Sequence, residues 1–512
     1  MAISAKEAIP NNVLFNLRDA RALSLQDVAN GVNEFAAQRG IKGHQVSANT
    51  VSRWERGVIP LPEPINRQLL AEFYGVAVDQ LGFTRPRAVS HGQVGETRPR
   101  LAPAHLGELR SIPLDDRPVS LDAQVHSNQE EWILVREGLN QHRVELTRLA
   151  ARWHASCGRV ERTELLTRID WLPALPVDLA DIELAWRGDQ VPIQVTGTER
   201  QAQAVRPLRA SALRYQRYTH ALRDLDRPAL FENRLSFRLL DVAWSTGGGG
   251  RLGFGMTTYF DAVDVAEAVA HELAAAHLAF TPAGSEVRRG SGRRLAFRKL
   301  TGNPFDVARR PVLPSVDTLT IRRSAAAASF VLHRRDAGNV AVAGGMYHIM
   351  PAGVFQPSSI SPWACSLDFD LWRNMMREYS EEFLGNLEHD GNASAPVDYE
   401  TQEPFRSLDQ AHREGKLRVY CLGVGLDPLT LWGEILTVAV FDDDAFDQVF
   451  RELVAANNEG TVVTVGGAGL GARGIPFTEE RVDQLLDREP FAPAAAACLA
   501  LAWQHRATIL GG

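Results

Sequence analysis

Cysteine is scarce in this chain, with four residues among 512, and the four are scattered without a CxxC spacing or a disulfide pattern. Such cysteine usage indicates a reducing compartment. Long apolar runs are also lacking, since none reaches the roughly 18 residues of a membrane-spanning helix. The first residues, MAISAKEAIPNN, lack the charged and then apolar segments of a signal peptide. We therefore expect a cytoplasmic protein that has no membrane partner.

The chain carries little net charge for its length, and it has no internal repeat at the periods of solenoid proteins. A net charge of −7 does not indicate a nucleic-acid-binding protein as a whole, although a single DNA-binding module would be hidden in this sum. Apolar residues make up 45% and charged residues 23%, which is ordinary for a globular protein with several cores. At about 100–200 residues per domain, the length predicts about three domains.

Composition and periodicity divide the chain into four parts. Residues 1–83 are typical of short helices, and residues 84–125 form a linker rich in Pro, Gly and charged residues. Residues 126–310 are a helical and α+β middle region of unknown role. Residues 311–512 alternate strand-like and helical segments in an α/β order. The predicted fold class is therefore multidomain, with an all-α N-terminal domain, an α+β middle region and a C-terminal α/β domain.

Several motifs in the two larger parts have structural interpretations. RLSFRLLDVAW and RLGFGMTTYF flank STGGGG, which predicts a hairpin, and DAVDVAEAVAHELAAAHLAF predicts the helix that follows it. Within that helix His271 and His277 are six residues apart, on nearly opposite faces, which argues against a zinc site. GLGARG at 469–474 spells GxGxxG, but Pro476 and Thr478 place the next helix after the glycines. We interpret it as a loop.

The segment VSANTVSRWERG, residues 46–57, has the features of a short capped helix. Ser47 is suited to cap its N-terminus, and Gly57 is suited to end it. Val51 and Trp54 are three residues apart and are expected to face the core. Asn can pair with adenine, Arg with guanine, and a capped helix N-terminus with phosphate. The residues expected to face outward are Asn49, Thr50, Ser52, Arg53 and Arg56.

NTVSRWERG, together with the later LLAEFYGVAVDQL, resembles the recognition helix and closing helices of the Xre (Cro/CI-type) helix-turn-helix family over about residues 12–83. The resemblance implies double-stranded operator DNA as the partner and a homodimer that spans two half-sites. It implies that Asn49 and Arg53 read bases. The residues that it places nearer the DNA backbone are Ser47, Thr50 and Arg56. The connection NEFAAQRGIKGHQV is longer than usual in the family, and the alternative is a solvated helix with no DNA role.

RNMMREYSEEFLGN, residues 373–386, brings three carboxylates together. Glu378, Glu381 and Glu382 stand at i, i+3 and i+4, which places them on one face of an α-helix. Three like charges repel one another on a plain helix surface. Mg²⁺ or Mn²⁺ would relieve the repulsion, because such ions take carboxylate oxygens as ligands. The alternative is an ordinary charged helix face, in which Arg377 steadies one carboxylate.

REYSEE resembles the helix half of the Nudix box, R-E-U-x-E-E-x-G-U, and MYHIMPAGVFQPSS resembles the strand and the glycine, Gly353, that open it. The resemblance covers about residues 315–505 and implies an α/β/α sandwich that hydrolyses a diphosphate. It implies that the glutamates at 378, 381 and 382 bind Mg²⁺ or Mn²⁺. Gly353 and Arg377 are then candidate ligand-site residues, Arg377 in a structural role, and Glu434 on a later strand is a candidate base.

The segment between Gly353 and Arg377 departs from the Nudix pattern. It is lengthened by QPSSISPWACSLDF, and it lacks the glutamate that the family has soon after the glycine. An altered loop favours a sensor of a nucleotide-like ligand, which needs the pocket and not the turnover. We therefore expect a DNA-binding transcriptional regulator rather than an enzyme. Two alternatives stay open: a metal-dependent Nudix-type hydrolase tethered to DNA, and a C-terminal region used only for dimerisation.

Overall fold

The structure, a computed structural model, describes most of the chain from residue 122 onward and a part of residues 11–83. Between 122 and 511 the gaps are 189–190, 229–230, 281–285, 289–294, 336–345, 360, 387–396, 452–459 and 464–473. In the N-terminal part it describes 11, 14, 17–18, 24–39, 41, 46–47, 50–51, 54, 62, 64–74, 81 and 83. The described residues fall into two compact units, one within 11–83 and one within 122–511.

The described residues of the N-terminal unit are mostly helical, as predicted. The helices whose first and last residues are described there are α1 (Leu25–Gln38) and α2 (Pro64–Tyr74). Thr50, Val51 and Trp54 are also helical. Apolar residues at helical spacing on α1 pack with residues of α2 and with the helix that follows Ser47, because each helix has one apolar face. The core of this unit contains Leu14, Val28, Ala29, Val32, Ala36, Val46, Val51, Trp54, Leu69, Leu70, Ala71, Tyr74 and Leu81.

The larger unit combines helices with mixed sheets. Its helices are α3 (Ala123–Gln141), α4 (Arg143–Trp153), α5 (Tyr218–Leu225), α6 (Tyr259–His277), α7 (Ala296–Thr301), α8 (Pro362–Leu367), α9 (Leu371–Glu378), α10 (Phe405–Arg413), α11 (Asp443–Val449), α12 (Glu479–Arg488), α13 (Pro493–Gln504) and α14 (Arg506–Leu510). A π-helical turn, Tyr379–Phe383, continues α9. Short 3-10 turns lie at Ile169–Trp171, Leu179–Asp181, Arg200–Val205 and Val307–Arg309.

The strands of the larger unit are mostly short. They are β1 (Val177–Asp178), β2 (Ile182–Trp186), β3 (Leu208–Ala210), β4 (Leu213–Arg214), β5 (Leu235–Trp244), β6 (Gly250–Thr258), β7 (Leu278–Phe280), β8 (Glu286–Arg288), β9 (Pro314–Arg323), β10 (Ala328–Phe330), β11 (Leu332–Arg335), β12 (Tyr347–His348), β13 (Ala352–Val354), β14 (Leu417–Leu426), β15 (Gly433–Asp442), β16 (Gly460–Val463) and β17 (Ile475–Pro476).

The first helix of this unit begins inside the predicted linker. The linker was predicted to reach residue 125, but α3 starts at Ala123 because Asp122 caps it. The Asp122 carboxylate accepts a hydrogen bond from the backbone N–H of Gln124 at 2.9 Å. Residues 84–121 lie outside the described residues.

A seven-stranded mixed sheet organises the C-terminal part. Its strand order is β1-β14-β15-β9-β10-β17, and β13 pairs with β9 on the edge that faces away from β15. The pair β9 and β15 is parallel, whereas β14 and β15 form an antiparallel hairpin. Helices cover both faces. The core on one face includes Met375 and Met376 of α9, and the core on the other includes Leu499 and Leu501 of α13.

The middle region forms a smaller sheet in the order β2-β6-β5. The predicted hairpin is confirmed, since β5 and β6 pair antiparallel around the glycine-rich turn, and the predicted helix is α6. Gly248 has φ of +81°, a conformation that glycine adopts without strain. Backbone hydrogen bonds tie the region to the C-terminal part: Phe237 N–H donates to Phe355 O, and Leu239 N–H donates to Val312 O. Described residues on both sides of position 310 share one core.

Two predicted strands are each divided in the structure. SFVLHRR becomes β10 and β11, which belong to different sheets, and MYHIMPAG becomes β12 and β13. Val331, at which the first run changes sheets, is buried. The apolar pattern is therefore continuous through this residue, and the sequence does not show that the strand divides there. All four cysteines are free thiols. Among the described residues there is no helix that is both long and apolar enough to cross a membrane.

Candidate functional site

Ser47 begins the helix in which Thr50, Val51 and Trp54 lie. Its hydroxyl oxygen accepts a hydrogen bond from Thr50 N–H at 3.2 Å, and Val51 N–H donates to Ser47 O at 3.1 Å. The predicted N-cap is therefore confirmed. Val51 and Trp54 are buried, at 0% and 2% exposed, as the spacing predicted. Ser47 is exposed and Thr50 partly exposed, so the N-terminal end of this helix reaches solvent.

Three of the predicted DNA-binding residues, Asn49, Arg53 and Arg56, lie outside the described residues. Their assignment stays a prediction. The residues that the structure does describe, Ser47 and Thr50, place the first turn of the helix at the surface of the N-terminal unit. The positive end of the helix dipole favours an anion such as a phosphate at this end of the helix.

The C-terminal candidate site is built where α9 crosses β13. Gly353 lies on β13, opposite Val316 of β9. A Cβ atom built on Gly353 would lie 2.0 Å from the carboxyl carbon of Glu378, so a side chain at this position would displace the Glu378 carboxylate. One turn later, Glu382 accepts a hydrogen bond from the backbone N–H of Ala352 at 3.0 Å. Glu378 and Glu382 thus converge on adjacent residues of one strand.

Glu381 is arranged differently from the other two glutamates. The α-helix ends at Glu378, and residues 379–383 form a π turn. A π turn holds more residues than an α turn, so Glu381 is rotated further from Glu378 than the α-helical spacing predicts. Glu381 is partly exposed, whereas Glu382 is buried. Residues 379–383, YSEEF, contain no proline or glycine that would predict the π turn.

The three glutamates do not assemble into a metal site in this arrangement. Within the described part of the chain, which contains all three, no group of three or more His, Cys, Asp or Glu is placed to hold a metal ion. Glu378 is packed on Gly353, and one oxygen of Glu382 already accepts the Ala352 N–H. Mg²⁺ requires several oxygen ligands in near-octahedral geometry. As placed here, the three glutamates do not converge as such a set of ligands, and the assignment of Mg²⁺ or Mn²⁺ to them stays a prediction.

Arg377 is buried, and its guanidinium is held by protein groups. It donates to Tyr399 OH at 2.6 Å, to Gln356 O at 2.6 Å and to the Asn374 side chain at 3.1 Å. Burial lowers the pKa of Arg377, but Tyr399, Asp368 and Glu378 raise it by more, so the pKa is above its ordinary value. These contacts support the structural role predicted for Arg377 more than direct contact with a ligand.

Asp368, which the sequence argument missed, is the acidic partner of Arg377. It lies within the inserted segment and is fully buried. One carboxylate oxygen accepts from Tyr399 OH at 2.7 Å, and the other accepts from the backbone N–H of Ser358 at 2.7 Å. The inserted segment thus supplies a buried carboxylate that pairs with Arg377. A lone aspartate inside an apolar run, ACSLDF, was the available signal.

Glu434 is not brought together with the three glutamates. On β15 it lies opposite Ser315 of β9, while Gly353 lies opposite Val316. Neighbouring residues of a strand point to opposite faces of a sheet, so Glu434 and Glu378 are on different faces. Burial and the nearby Asp317 raise the pKa of Glu434 well above its ordinary value. A base at this position would act on the face that α13 covers.

The two histidines of HELAAAH have separate partners, as their spacing predicted. His271 is buried, and its Nδ1 lies 3.0 Å from Tyr218 OH. His277 Nε2 lies 2.9 Å from the Glu145 carboxylate. Burial lowers the pKa of His271 to about 3, which keeps the ring neutral inside the core. The GLGARG segment lies outside the described residues except for Gly474.

The comparisons with known proteins add no family to this description. No protein-family model matches the chain, and no curated protein is similar enough to count as a match.

Proposed function

We propose that this protein is a sequence-specific DNA-binding transcriptional regulator. Its N-terminal helical unit would bind double-stranded operator DNA, and its C-terminal Nudix-like region would sense a nucleotide-like or other small ligand. The observation that supports DNA binding best is the helix that begins at Ser47. It is capped by the Ser47 hydroxyl, anchored by buried Val51 and Trp54, and exposed at its N-terminal end. A regulator of this kind acts in the cytoplasm, as a homodimer on two half-sites.

The C-terminal role rests on the contacts around β13. Gly353 and the glutamates at 378 and 382 bring a helix and a strand into close contact, and these are residues that the Nudix resemblance assigns to a ligand site. The inserted segment is locked by the pair of Arg377 and Asp368, which favours a fixed binding surface over a catalytic loop that moves. A ligand would regulate DNA binding by having different affinities for the DNA-competent and DNA-incompetent states.

Genome-wide mapping of the DNA sites that the protein occupies tests the proposal. We expect a limited set of sites that share one sequence motif, and genes beside them that indicate the ligand. Arg53→Ala should lose the motif preference, because an arginine that reads guanine contributes about 1–3 kcal/mol of discrimination. If Arg53→Ala occupies the same sites with the same preference, the N-terminal assignment is incorrect.

A separate assay addresses the hydrolase alternative. Phosphate release from nucleoside diphosphate derivatives is measured with and without Mg²⁺ or Mn²⁺. The sensor proposal predicts no metal-dependent release, together with ligand-dependent DNA affinity. Metal-dependent release that Glu381→Gln abolishes would instead support the enzyme. A chain whose C-terminal region has neither property would serve only in dimerisation.

A further inference from the structure

One side chain holds the backbone directly before the helix that begins at Ser47. The Asn33 amide on α1 donates to Val46 O at 2.8 Å, and Val46 N–H donates to the Asn33 side-chain oxygen at 2.7 Å. A single carboxamide thus satisfies both backbone groups of one residue, as a neighbouring strand would. Val46 is buried, at 6% exposed, so solvent is poorly placed to replace these bonds.

These two hydrogen bonds, which we call the Asn33 clamp, lie directly before the capped helix. Val46 directly precedes Ser47, whose hydroxyl accepts from Thr50 N–H. Asn33 and Val46 are 13 residues apart in sequence, and the connection between them is the segment that is longer than usual for a helix-turn-helix. A long connection does not by itself define the angle between two helices. Two hydrogen bonds to one planar amide do define where the second helix starts.

We infer that Asn33 is a positioning residue for DNA recognition, which sets the orientation of the helix that begins at Ser47. The inference rests on the proposed function, in which this helix reads operator DNA. Base readout requires side chains to be aligned with base edges, whereas attraction to phosphate does not depend on sequence. Loss of the clamp should therefore weaken binding to the operator more than binding to unrelated DNA.

Three variants separate positioning from folding. Asn33→Ala removes both hydrogen bonds, and alanine favours helix more than asparagine does, so α1 itself is not weakened. Asn33→Asp keeps an acceptor for Val46 N–H but places no donor against Val46 O. Gln68→Ala is the matched control, because it removes an exposed amide side chain from α2.

The experiment uses the full chain and two duplexes. One is the sequence that the wild-type protein enriches from random double-stranded DNA, and the other is the same duplex with its bases scrambled. We expect Asn33→Ala to bind the enriched duplex about thirtyfold more weakly, as for two hydrogen bonds of ordinary strength. Binding to the scrambled duplex should stay within about twofold, because it depends on phosphate contacts. The affinity of Asn33→Asp for the enriched duplex should lie between those of Asn33→Ala and the wild type. Gln68→Ala should have the wild-type affinity.

Three other results would contradict the inference, and one of them would also contradict the proposed function. If Asn33→Ala keeps the wild-type ratio of the two affinities, the inference is overturned while the proposed function stands. Equal loss on both duplexes, or loss of the helical circular dichroism signal, would show that Asn33 only supports folding and would also overturn it. If the wild-type protein enriches no sequence at all, the proposed function fails and the inference fails with it.

Discussion

The guanidinium of Arg377 lies 3.3 Å from the carboxylate of Asp368, and both side chains are buried. Tyr399 completes the arrangement, since its hydroxyl accepts from Arg377 and donates to Asp368. The inserted segment QPSSISPWACSLDF, which departs from the Nudix pattern, is therefore anchored to α9, the helix that follows it. This relationship makes the inserted segment part of the core of the larger unit.

Asp368→Ala should strongly destabilise the larger unit. Removing one partner of a buried ion pair leaves the other charge uncompensated, which costs about 3–5 kcal/mol. Urea denaturation, followed by circular dichroism, measures the free energy of unfolding. Glu400→Ala is the control, because Glu400 is exposed nearby and its loss should change stability by less than about 0.5 kcal/mol. Similar stability for both variants would contradict the anchoring role of Asp368.

Gly353→Ala should have opposite effects in two backgrounds. In the wild type the new methyl group displaces the Glu378 carboxylate, at a cost of about 1 kcal/mol. In the Glu378→Ala background nothing of that carboxylate remains, and alanine should stabilise the strand by about 0.5–1 kcal/mol relative to glycine. A double-mutant cycle on the free energy of unfolding gives the coupling. Additive effects would mean that Glu378 does not pack on Gly353.

Glu434→Gln should change how stability depends on pH. The folded-state pKa of Glu434 is raised, first by burial and then by Asp317, so the folded protein keeps a proton that the unfolded chain has lost. The contribution of the Glu434 carboxyl to stability is fully present below its unfolded-state pKa, and it is lost as pH rises through its folded-state pKa. As pH rises from 5 to 8, the glutamine variant should therefore lose less stability than the wild type.

The control for this prediction is Glu183→Gln, which alters an exposed glutamate on a strand. Urea denaturation at both pH values should give the wild-type pH dependence for this control. An unchanged pH dependence for Glu434→Gln would show that the Glu434 carboxyl titrates normally in the folded protein.

Ser47→Asp and Ser47→Asn separate helix capping from DNA contact. Serine, asparagine and aspartate are N-caps of similar strength, so both variants should keep the stability of the N-terminal unit within about 0.5 kcal/mol. Aspartate adds a negative charge where phosphate is expected, so Ser47→Asp should bind DNA more weakly, most clearly at low salt. Fluorescence anisotropy with a labelled duplex measures this. Equal affinities for the two variants would mean that this end of the helix does not face the DNA backbone.

Local patterns predicted much of the secondary structure. The tetraglycine turn between two β-branched and aromatic runs predicted the hairpin of β5 and β6, and Ser47 with Val51 and Trp54 predicted the capped helix. In each case the determining residues are neighbours in sequence. Turn chemistry, capping and periodicity act over a few residues, so they are visible without knowledge of the fold.

The arrangement of the candidate site depended on contacts that are distant in sequence. The parallel pairing of β9 and β15 places Glu434 on the face opposite Glu378, and a shift of one residue in that register would have reversed it. Asp368 of the inserted segment meets Arg377 of α9, and Asn33 meets Val46, which lies 13 residues further along the chain. The spacing of residues along the chain does not determine a strand register of this kind, nor does it determine which distant residues come into contact.

Selection from random double-stranded DNA by the full-length protein tests the central claim most directly. The purified chain is mixed with a library of duplexes at physiological salt, and the bound fraction is sequenced over several rounds. Sequence-specific recognition by the N-terminal unit predicts enrichment of one motif, repeated as two half-sites about one helical turn apart if the protein is dimeric. Bound DNA whose sequences stay as random as the starting library would contradict the claim.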